Sequence, residues 1–224
     1  MIKSKVENLI CNKDYSYLAP YFYNNPYALR CELDTEEEQQ HNIPVAKKRA
    51  LEIFEILFPC GADAIFFNYW MFDYSDNGDA ENKEYDELGY DLNTANQNLV
   101  NWEMKQLKFL LECQAKYRHN TVRDLPTYGE FDDQYIGKQR RNRVVCFRDG
   151  EDFDYNALLD IQILGDGLDI SFVSFENECI LSVYDNRGCD IVFMTRDKMK
   201  EFYPKLKPYF LSHDEEEMEK RFQE

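Results

Sequence analysis

The sequence predicts an α+β fold, with a mostly antiparallel sheet of about five to six strands and helices packed on it. Short apolar runs separated by turn residues predict a meander of strands near 169–175, 179–184 and 189–194. Apolar residues spaced at the period of an α-helix predict a long helix at 43–58. Hydrophobic residues make up 44% of the 224 positions and aromatic residues 15%, far more apolar material than a disordered chain carries. We therefore expect a substantial core.

The first third of the chain contains a strand, the long helix and a second strand. Residues 28–33 alternate between apolar and polar side chains, which is typical of a strand. Asn42 can cap the helix, and Pro44 falls in its first turn, where a missing N–H costs little. Residues 64–72 are almost uniformly apolar and predict a central strand buried on both faces. The apolar stripe of the helix consists of Ala46, Ala50, Ile53, Phe54, Leu57 and Phe58.

A second long helix and a polar segment are predicted for the middle of the chain. The capping-box sequence at 94–97 opens a helix that runs to about Lys116. The apolar stripe of this helix consists of Val100, Met104, Leu107 and Leu111. Residues 117–142 are polar and rich in turn residues, so we expect them to be the most flexible part of the chain. A strand at 143–148 and a short helix at 155–164 follow.

Two helices are predicted to close the chain. The first starts after Thr195, and Pro204 and Pro208 are expected to kink or end it. The second starts at the capping-box sequence 212–215 and runs to Phe222, with acids in its first turn and bases in its last. The apolar face of the first helix consists of Met199, Phe202, Tyr203 and Leu206. With no internal repeat and no clear linker, the whole chain, 1–224, is expected to form a single α+β domain.

Acidic residues outnumber basic ones by 43 to 26, which gives a formal net charge of −17 and a pI near 4.6. Such a charge repels nucleic acid and anionic membrane surfaces and attracts a basic protein partner. No apolar run approaches the roughly 18 residues of a membrane span, and the N-terminal residues lack the apolar core of a signal peptide. The 7 cysteines are scattered, which suits reduced thiols better than a disulfide framework. These features predict a cytoplasmic protein.

The C-terminal third resembles a bacterial family. The hairpin sequence Tyr184-Asp-Asn-Arg-Gly-Cys-Asp190 is followed by an apolar strand and by a helix with the pair Phe202-Tyr203. This pattern resembles the domain-of-unknown-function family 3885, whose members share a Y-D-D-R-G-x-D hairpin, an aromatic pair in the next helix and a closing acidic helix. Asn186 stands where the family usually has an aspartate. The resemblance covers 27–72 and 140–222 and implies no activity, because the family has none that could be transferred.

The tip of this hairpin is the best candidate site. Its short loop is expected to present Asp185, Arg187 and Asp190 to solvent on a rigid sheet. In one interpretation these residues contact a partner or a substrate, with Arg187 binding a carboxylate or phosphate through two hydrogen bonds. In the other, which turn chemistry favours, Asp185 closes an Asx-turn, Gly188 supplies a positive φ, and Arg187 bridges Asp190 or the C-terminal helix. The candidate residues are Tyr184, Asp185, Asn186, Arg187 and Asp190.

An acidic loop at 73–84 matches part of the calcium-loop template. Oxygen donors occupy positions 1, 3, 5, 9 and 12 of the template, and Gly78 occupies position 6. The candidate ligands are Asp73, Ser75, Asn77, Asp79, Glu81 and Glu84. Against this assignment, Ala80 replaces the large apolar residue of the template, and the preceding segment is predicted as a strand rather than a helix. Calcium binding is therefore a minor alternative.

The remaining chemical signals are weak. Cys189 and His213 could form a nucleophilic pair, but a small buried cysteine is the commoner role. The chain has no G-x-S-x-G, no glycine-rich phosphate loop and no H-E-x-x-H, so no cofactor is predicted and an enzyme is the less favoured class. One positive island is interpreted as an exposed loop neutralised by nearby acids. Its members are Lys138, Arg140, Arg141, Arg143 and Arg148.

Three functions remain open. The preferred hypothesis is a non-enzymatic, acidic module that binds a protein partner, in one form an immunity protein that neutralises a basic toxin such as a nuclease. It rests on the charge, on the missing catalytic motifs and on an aromatic-rich segment at 15–27 that would supply surface anchors. The alternatives are a hydrolase-like enzyme that uses carboxylates and Arg187 at the hairpin edge, and a calcium-binding module at 73–84. The sequence carries no signal for the oligomeric state.

Overall fold

The computed structural model describes residues 21–34, 42–72, 92–116, 119–128, 140–148, 153–165 and 168–223. In these residues the strands are β1 (Ala28–Glu32), β2 (Ala64–Phe72), β3 (His119–Tyr128), β4 (Arg140–Arg148), β5 (Asp169–Ser174), β6 (Cys179–Val183) and β7 (Gly188–Phe193). The helices are α1 (Tyr21–Asn24), α2 (Ile43–Leu57), α3 (Leu92–Lys116), α4 (Tyr155–Ile163), α5 (Arg196–Leu206) and α6 (Glu215–Gln223), with 3-10 turns at Lys207–Tyr209 and Ser212–Asp214.

The chain divides into two compact units. The first unit combines residues 1–66 with 148–224, and the second consists of residues 67–147. In the first unit the strands follow the order β1-β7-β6-β5-β2. Only the first residues of β2, 64–66, belong to this unit. The described pairings β1–β7, β7–β6 and β6–β5 are all antiparallel. Together with helices packed on this sheet, they confirm the predicted α+β class with a mostly antiparallel sheet.

The predicted long helix forms as α2 and packs its apolar stripe inward. The Asn42 side chain accepts a hydrogen bond from the backbone N–H of Val45 at 3.3 Å, so the predicted N-cap is confirmed. The aromatic ring of Phe54 stacks on Phe58 and meets Phe172 of β5 edge-on, with a centroid distance of 5.2 Å. The stripe residues are all buried, namely Ala46, Ala50, Ile53, Phe54, Leu57 and Phe58.

The helix after Thr195 also forms as predicted, and the side chain of Thr195 caps it by accepting a hydrogen bond from the N–H of Lys198 at 3.4 Å. Pro204 does not end α5, which continues to Leu206. The capping box predicted at 212–215 is wrong as a helix start, because Ser212 lies inside a 3-10 turn and α6 begins only at Glu215. The predicted apolar face of α5 is entirely buried, and it comprises Met199, Phe202, Tyr203 and Leu206.

The second unit departs further from the sequence predictions. Strand β3 lies within the segment 117–142 that appeared turn-rich, and it pairs antiparallel with β4 from His119↔Phe147 onward. The polar composition hid this strand because alternation between polar residues leaves no apolar signature. Register shifts interrupt the pairing twice, which marks it as an irregular ladder.

Among the described residues, no helix is both long enough and apolar enough to cross a membrane.

Helix α3 turns a different face inward from the one that its sequence suggested. An apolar stripe ordinarily marks the buried face of a helix, but the predicted stripe is exposed at Val100, Met104 and Leu111. The buried side follows a second series at the same spacing, namely Gln106, Phe109, Leu110 and Cys113. The ring of Phe109 packs edge-on against Phe67 of β2, with centroids 5.0 Å apart. Packing of these aromatic rings decides which of the two stripes is covered.

Candidate functional site

The hairpin loop between β6 and β7 is closed by Asp185. Its Oδ1 accepts a hydrogen bond from the backbone N–H of Arg187 at 2.8 Å, which is the predicted Asx-turn. Its Oδ2 accepts two more from Nε and Nη2 of the same arginine, at 2.8 and 2.6 Å. This hydrogen bonding and the carboxylate charge raise the pKa of Arg187. The prediction that Arg187 bridges Asp190 or the C-terminal helix is wrong, since the side chain folds back on its own turn.

Gly188 is required for space rather than for backbone conformation. The glycines with positive φ in the described part of the chain are Gly61 and Gly165, so the predicted positive φ at Gly188 is wrong. A Cβ at Gly188 would lie 2.7 Å from the carbonyl oxygen of Cys31 and would overlap the hydroxyl of Tyr184. Gly188 therefore allows β7 to approach β1 closely and leaves room for the tyrosine side chain above it.

Asp190 points into the protein and not into solvent. It is 2% exposed and lies directly opposite Arg30 in the β1–β7 ladder. Its Oδ1 accepts a hydrogen bond from Arg30 Nε at 2.8 Å, and its Oδ2 accepts from Arg30 Nη2 at 3.2 Å. The backbone N–H of Phe22 donates to the same Oδ2 at 3.0 Å. The expectation that the hairpin presents Asp190 to solvent is wrong, because α1 covers this face of the sheet.

The side chain of Arg30 connects β7, α1 and the 3-10 turn before α6. Its Nη1 donates to the Tyr23 hydroxyl at 3.1 Å and to Asp214 Oδ2 at 3.4 Å. Its guanidinium carbon lies 4.7 Å from the ring centroid of Tyr23 and 5.9 Å from that of Tyr184. Burial by itself lowers the pKa of Arg30, but the hydrogen bond and charge of Asp190 outweigh it and the pKa is raised. We call Arg30, Tyr23, Tyr184, Asp190 and Asp214 the Arg30 cluster.

A second arginine fixes the segment that covers the cluster. Arg221 Nη1 donates to the carbonyl oxygens of Phe22 at 3.0 Å and Asn25 at 3.1 Å. Its guanidinium carbon lies 4.2 Å from the Phe22 ring centroid, and that of Arg30 lies 4.9 Å from the same centroid. The ring of Phe22 is thus held by two cations, which gives α1 a defined position although it is a single helical turn.

The Arg30 cluster has a rim that faces solvent. Tyr23 and Tyr184 are 58% and 45% exposed, although both rings contact the partly buried guanidinium of Arg30. Burial of part of Tyr184 and the negative charge of Asp190 raise the pKa of its hydroxyl, so the ring stays neutral. The pair Asp185–Arg187 stands beside Tyr184 at the tip, with the Arg187 side chain 72% exposed. We call Tyr23, Tyr184, Asp185 and Arg187 the rim.

One protein family matches most of the chain. A family model described as Domain of unknown function (DUF3885) matches residues 8–214. The chain belongs to this family. The assignment confirms the predicted family, and the matched range also includes 73–139, which the predicted resemblance had left out. Neither the curated proteins nor the solved structures contain a significant match to the chain.

Several other candidates receive little support or lie outside the described residues. The calcium candidates at 73–84 lie outside them, as do Lys138 and the start of the aromatic segment, residues 15–20. The four arginines of the positive island lie on β4, of which only the backbone is described. Tyr21 and Phe22 are buried, which corrects the expectation that the aromatic segment is all surface. The part of the chain that the structure describes contains no group of three metal-binding side chains.

Cys189 does not form the suggested pair with His213. Its thiol is fully buried and hydrogen-bonds with that of Cys31, the residue directly opposite it on β1. This hydrogen bond and the burial raise the pKa of Cys189 well above its ordinary value, so the nucleophilic thiolate is disfavoured. His213 is exposed in the 3-10 turn before α6. Free thiols are found at Cys31, Cys60, Cys113, Cys179 and Cys189 among the cysteines whose side chains the structure describes.

Sequence reasoning found Tyr184 and Asp190 but missed three members of the cluster, Arg30, Tyr23 and Asp214. A signal for Arg30 was present, because it is the only cation in segment 28–33, where Glu32 is the only acid, just as Asp190 is the only acid between 189 and 194. Buried charges are usually paired. Matching Arg30 with Asp190 would have suggested that β1 lies beside β7. No comparable signal marks Asp214, which stands in an acidic run.

Proposed function

We propose that this protein is a non-enzymatic module that binds a basic protein partner through the rim of the Arg30 cluster. The observation that carries the proposal is the pair of exposed tyrosines, Tyr23 and Tyr184, both held against the partly buried guanidinium of Arg30. Exposed aromatic rings on a fixed support are favoured anchors in protein interfaces, because they bury a large area and lose little conformational entropy on binding.

The rigidity of the support strengthens this interpretation. Asp190 accepts three hydrogen bonds, two from Arg30 and one from Phe22, so the arginine beneath the rings has little freedom to move. The tip is restrained as well, through the Asx-turn and through a hydrogen bond of 3.4 Å from Asn186 Nδ2 to Asp34 Oδ2. A surface that is already ordered before binding avoids part of the entropic cost of association.

The charge of the chain supports a basic partner. The formal net charge is −17, and the first turn of α6 adds Glu215, Glu216 and Glu217 immediately after Asp214 of the cluster. Acidic surfaces accelerate the approach of basic proteins and disfavour acidic ones. A specific form of the proposal is an immunity protein that neutralises a basic toxin such as a nuclease. This form predicts fast association that weakens steeply as the salt concentration rises.

The hydrolase alternative gains no support from the geometry. It requires carboxylates that converge with Arg187, but Asp185 is occupied by the turn at the tip while Asp190 binds Arg30 beneath the sheet surface. The two hairpin carboxylates therefore serve separate contacts. A binding surface at the same place needs no such convergence.

The proposal is tested by affinity capture from the source organism with three forms of the tagged protein. They are the unmodified chain, the double variant Tyr23→Ala/Tyr184→Ala, and the control Leu164→Ala, whose side chain is 58% exposed at the end of α4. We expect the unmodified chain and the control to retain the same small basic protein and the double variant to lose it. Calorimetric titration of the purified pair at low and moderate salt then measures the affinity.

One control and two contradicting outcomes make the test decisive. The double variant must melt within a few degrees of the unmodified chain, because the Tyr23 hydroxyl also hydrogen-bonds Arg30. Retention of the same partner by the double variant would remove the rim from the interface. A captured partner that is acidic, or whose affinity ignores salt, would contradict the electrostatic part of the proposal.

A further inference from the structure

Helix α3 carries an apolar stripe that is exposed in the part of the chain that the structure describes. Val100, Met104 and Leu111 are 39%, 59% and 56% exposed, and Leu107 between them is partly exposed. The helix does not need this face for its own unit, since Gln106, Phe109, Leu110 and Cys113 bury the other one. Clustered exposed apolar side chains are uncommon on a monomeric surface and typically mark an interaction site.

The spacing of the stripe indicates what kind of partner fits it. Its members follow one another at intervals of four, three and four residues, which is the d-a-d-a order of a coiled-coil seam. Such a seam is complementary to a second helix with the same spacing. The same stripe on another copy of this chain meets that requirement, and identical surfaces can pair about a two-fold axis.

The charges beside the stripe select the orientation of the two helices. With Met104 and Leu111 at a positions, Glu103 occupies the g position and Lys108 the following e position. In a parallel pair, Glu103 of one copy faces Lys108 of the other, and symmetry repeats the contact. In an antiparallel pair, Lys108 would face Asn101 and Glu103 would face Leu110, so no opposite charges would meet. The Lys108 side chain is 79% exposed and only 4.0 Å from Glu112, so it can reach across the seam.

We propose that a second copy of this chain packs in parallel along the stripe Val100, Met104, Leu107 and Leu111, so that the protein forms a two-fold symmetric dimer through α3. The contact lies in the second unit and is independent of the rim. Because each copy carries a formal charge of −17, added salt should strengthen the dimer by screening the repulsion. Added salt should have the opposite effect at the rim, where it should weaken the binding of a basic partner.

Sedimentation velocity over a range of protein concentrations tests the association. We expect a dimer whose dissociation constant rises about a hundredfold or more in Leu111→Glu, because both copies lose an apolar contact and gain a charge at the seam. The matched control is Leu164→Glu, another exposed leucine, at the end of α4, which should leave the dimer unchanged. Circular dichroism verifies that both variants fold. A monomer at all concentrations, or an unaffected dimer in Leu111→Glu, would overturn the proposal.

Disulfide crosslinking tests the orientation. The parent for this experiment is Cys60→Ser, which removes an exposed thiol. In a parallel seam, Leu107→Cys places two identical residues side by side, so the variant should form a crosslinked dimer under mild oxidation while the parent does not. Val100→Cys, also at a d position, should behave in the same way. A stable dimer in which neither variant crosslinks would refute the parallel arrangement.

Discussion

A large loss of stability is expected when Asp190 is substituted. Asp190→Ala removes the carboxylate that accepts two hydrogen bonds from Arg30 and one from the backbone of Phe22. The Arg30 side chain is 12% exposed, so its charge stays largely desolvated after the change. Asp214 remains nearby, but its single contact of 3.4 Å cannot replace a bidentate pair.

The magnitude follows from the cost of an uncompensated buried charge. Removing one partner of a buried ion pair costs about 3–5 kcal/mol, and the orphaned N–H of Phe22 adds about 1 kcal/mol or more. Because the contact with Asp214 and the remaining exposure of Arg30 offset part of this, we expect a loss of about 3 kcal/mol. For a chain of this size, that corresponds to a fall in Tm of roughly 6–12 °C.

The assay must report on the first unit specifically. Both tryptophans of the chain, Trp70 and Trp102, belong to the second unit, so intrinsic tryptophan fluorescence would follow the wrong part of the protein. Hydrogen exchange of the β1 and β7 amides should therefore serve as the local measurement, and urea unfolding followed by far-ultraviolet circular dichroism gives the stability of the chain as a whole. We expect the exchange protection of these two strands to fall together.

The double variant Arg30→Met/Asp190→Leu provides the control. Replacing both partners of a buried pair by apolar residues of similar size is often close to neutral, so the double variant should recover most of the stability lost in Asp190→Ala. The reasoning fails if Asp190→Ala stays within 1 kcal/mol of the unmodified chain. It also fails if the double variant is as unstable as the single one, since the loss would then not come from the unpaired charge.

Four further predictions concern the hairpin and the thiols. Gly188→Ala should lower the free energy of unfolding by about 2 kcal/mol or more, because no room exists for a methyl group there; chemical denaturation measures it, and an unchanged midpoint would contradict the crowding. Arg187→Ala should lower Tm by less than about 3 °C, since an exposed ion pair contributes little, and a larger fall in calorimetry would show that the tip supports the fold. Cys60 should react with a thiol reagent in the native state while Cys179 and Cys189 stay protected. The pKa values of these two buried thiols are raised, by burial at Cys179 and by the thiol hydrogen bond and burial at Cys189. Their contribution to stability is therefore complete at neutral pH and falls once unfolded thiols ionise above about pH 8.5, which denaturation at a series of pH values would detect.

The elements that local patterns specify were predictable. Helix α2 and its Asn42 cap, helix α5 after Thr195, and the hairpin between β6 and β7 all follow from periodicity, capping residues and turn residues that lie close together in sequence. The Asx-turn at Asp185 belongs to the same class, since all its atoms lie within three residues.

What the sequence did not reveal depends on which distant segments meet. Helix α3 has two apolar stripes, and only packing against Phe67 decides which one is buried. The polar strand β3 is stabilised by its pairing with β4 and not by an alternating pattern of its own. The Arg30 cluster required the pairing of β1 with β7, which becomes visible only when charges 160 positions apart, Arg30 and Asp190, are matched with each other.

The pairing of β1 with β7 also has a consequence for the order of events during folding. The hydrogen bond between Phe22 and Asp190 spans 168 positions, and that between Arg221 and Phe22 spans 199. Contacts of such high sequence separation form late, because the chain between them must first be brought to order. During synthesis, all of residues 67–147 emerge before the partners of β1 exist. Until β7 has been synthesised, β1 remains unpaired. We therefore expect the pairing of β1 with β7 to be the slow step in the folding of the first unit.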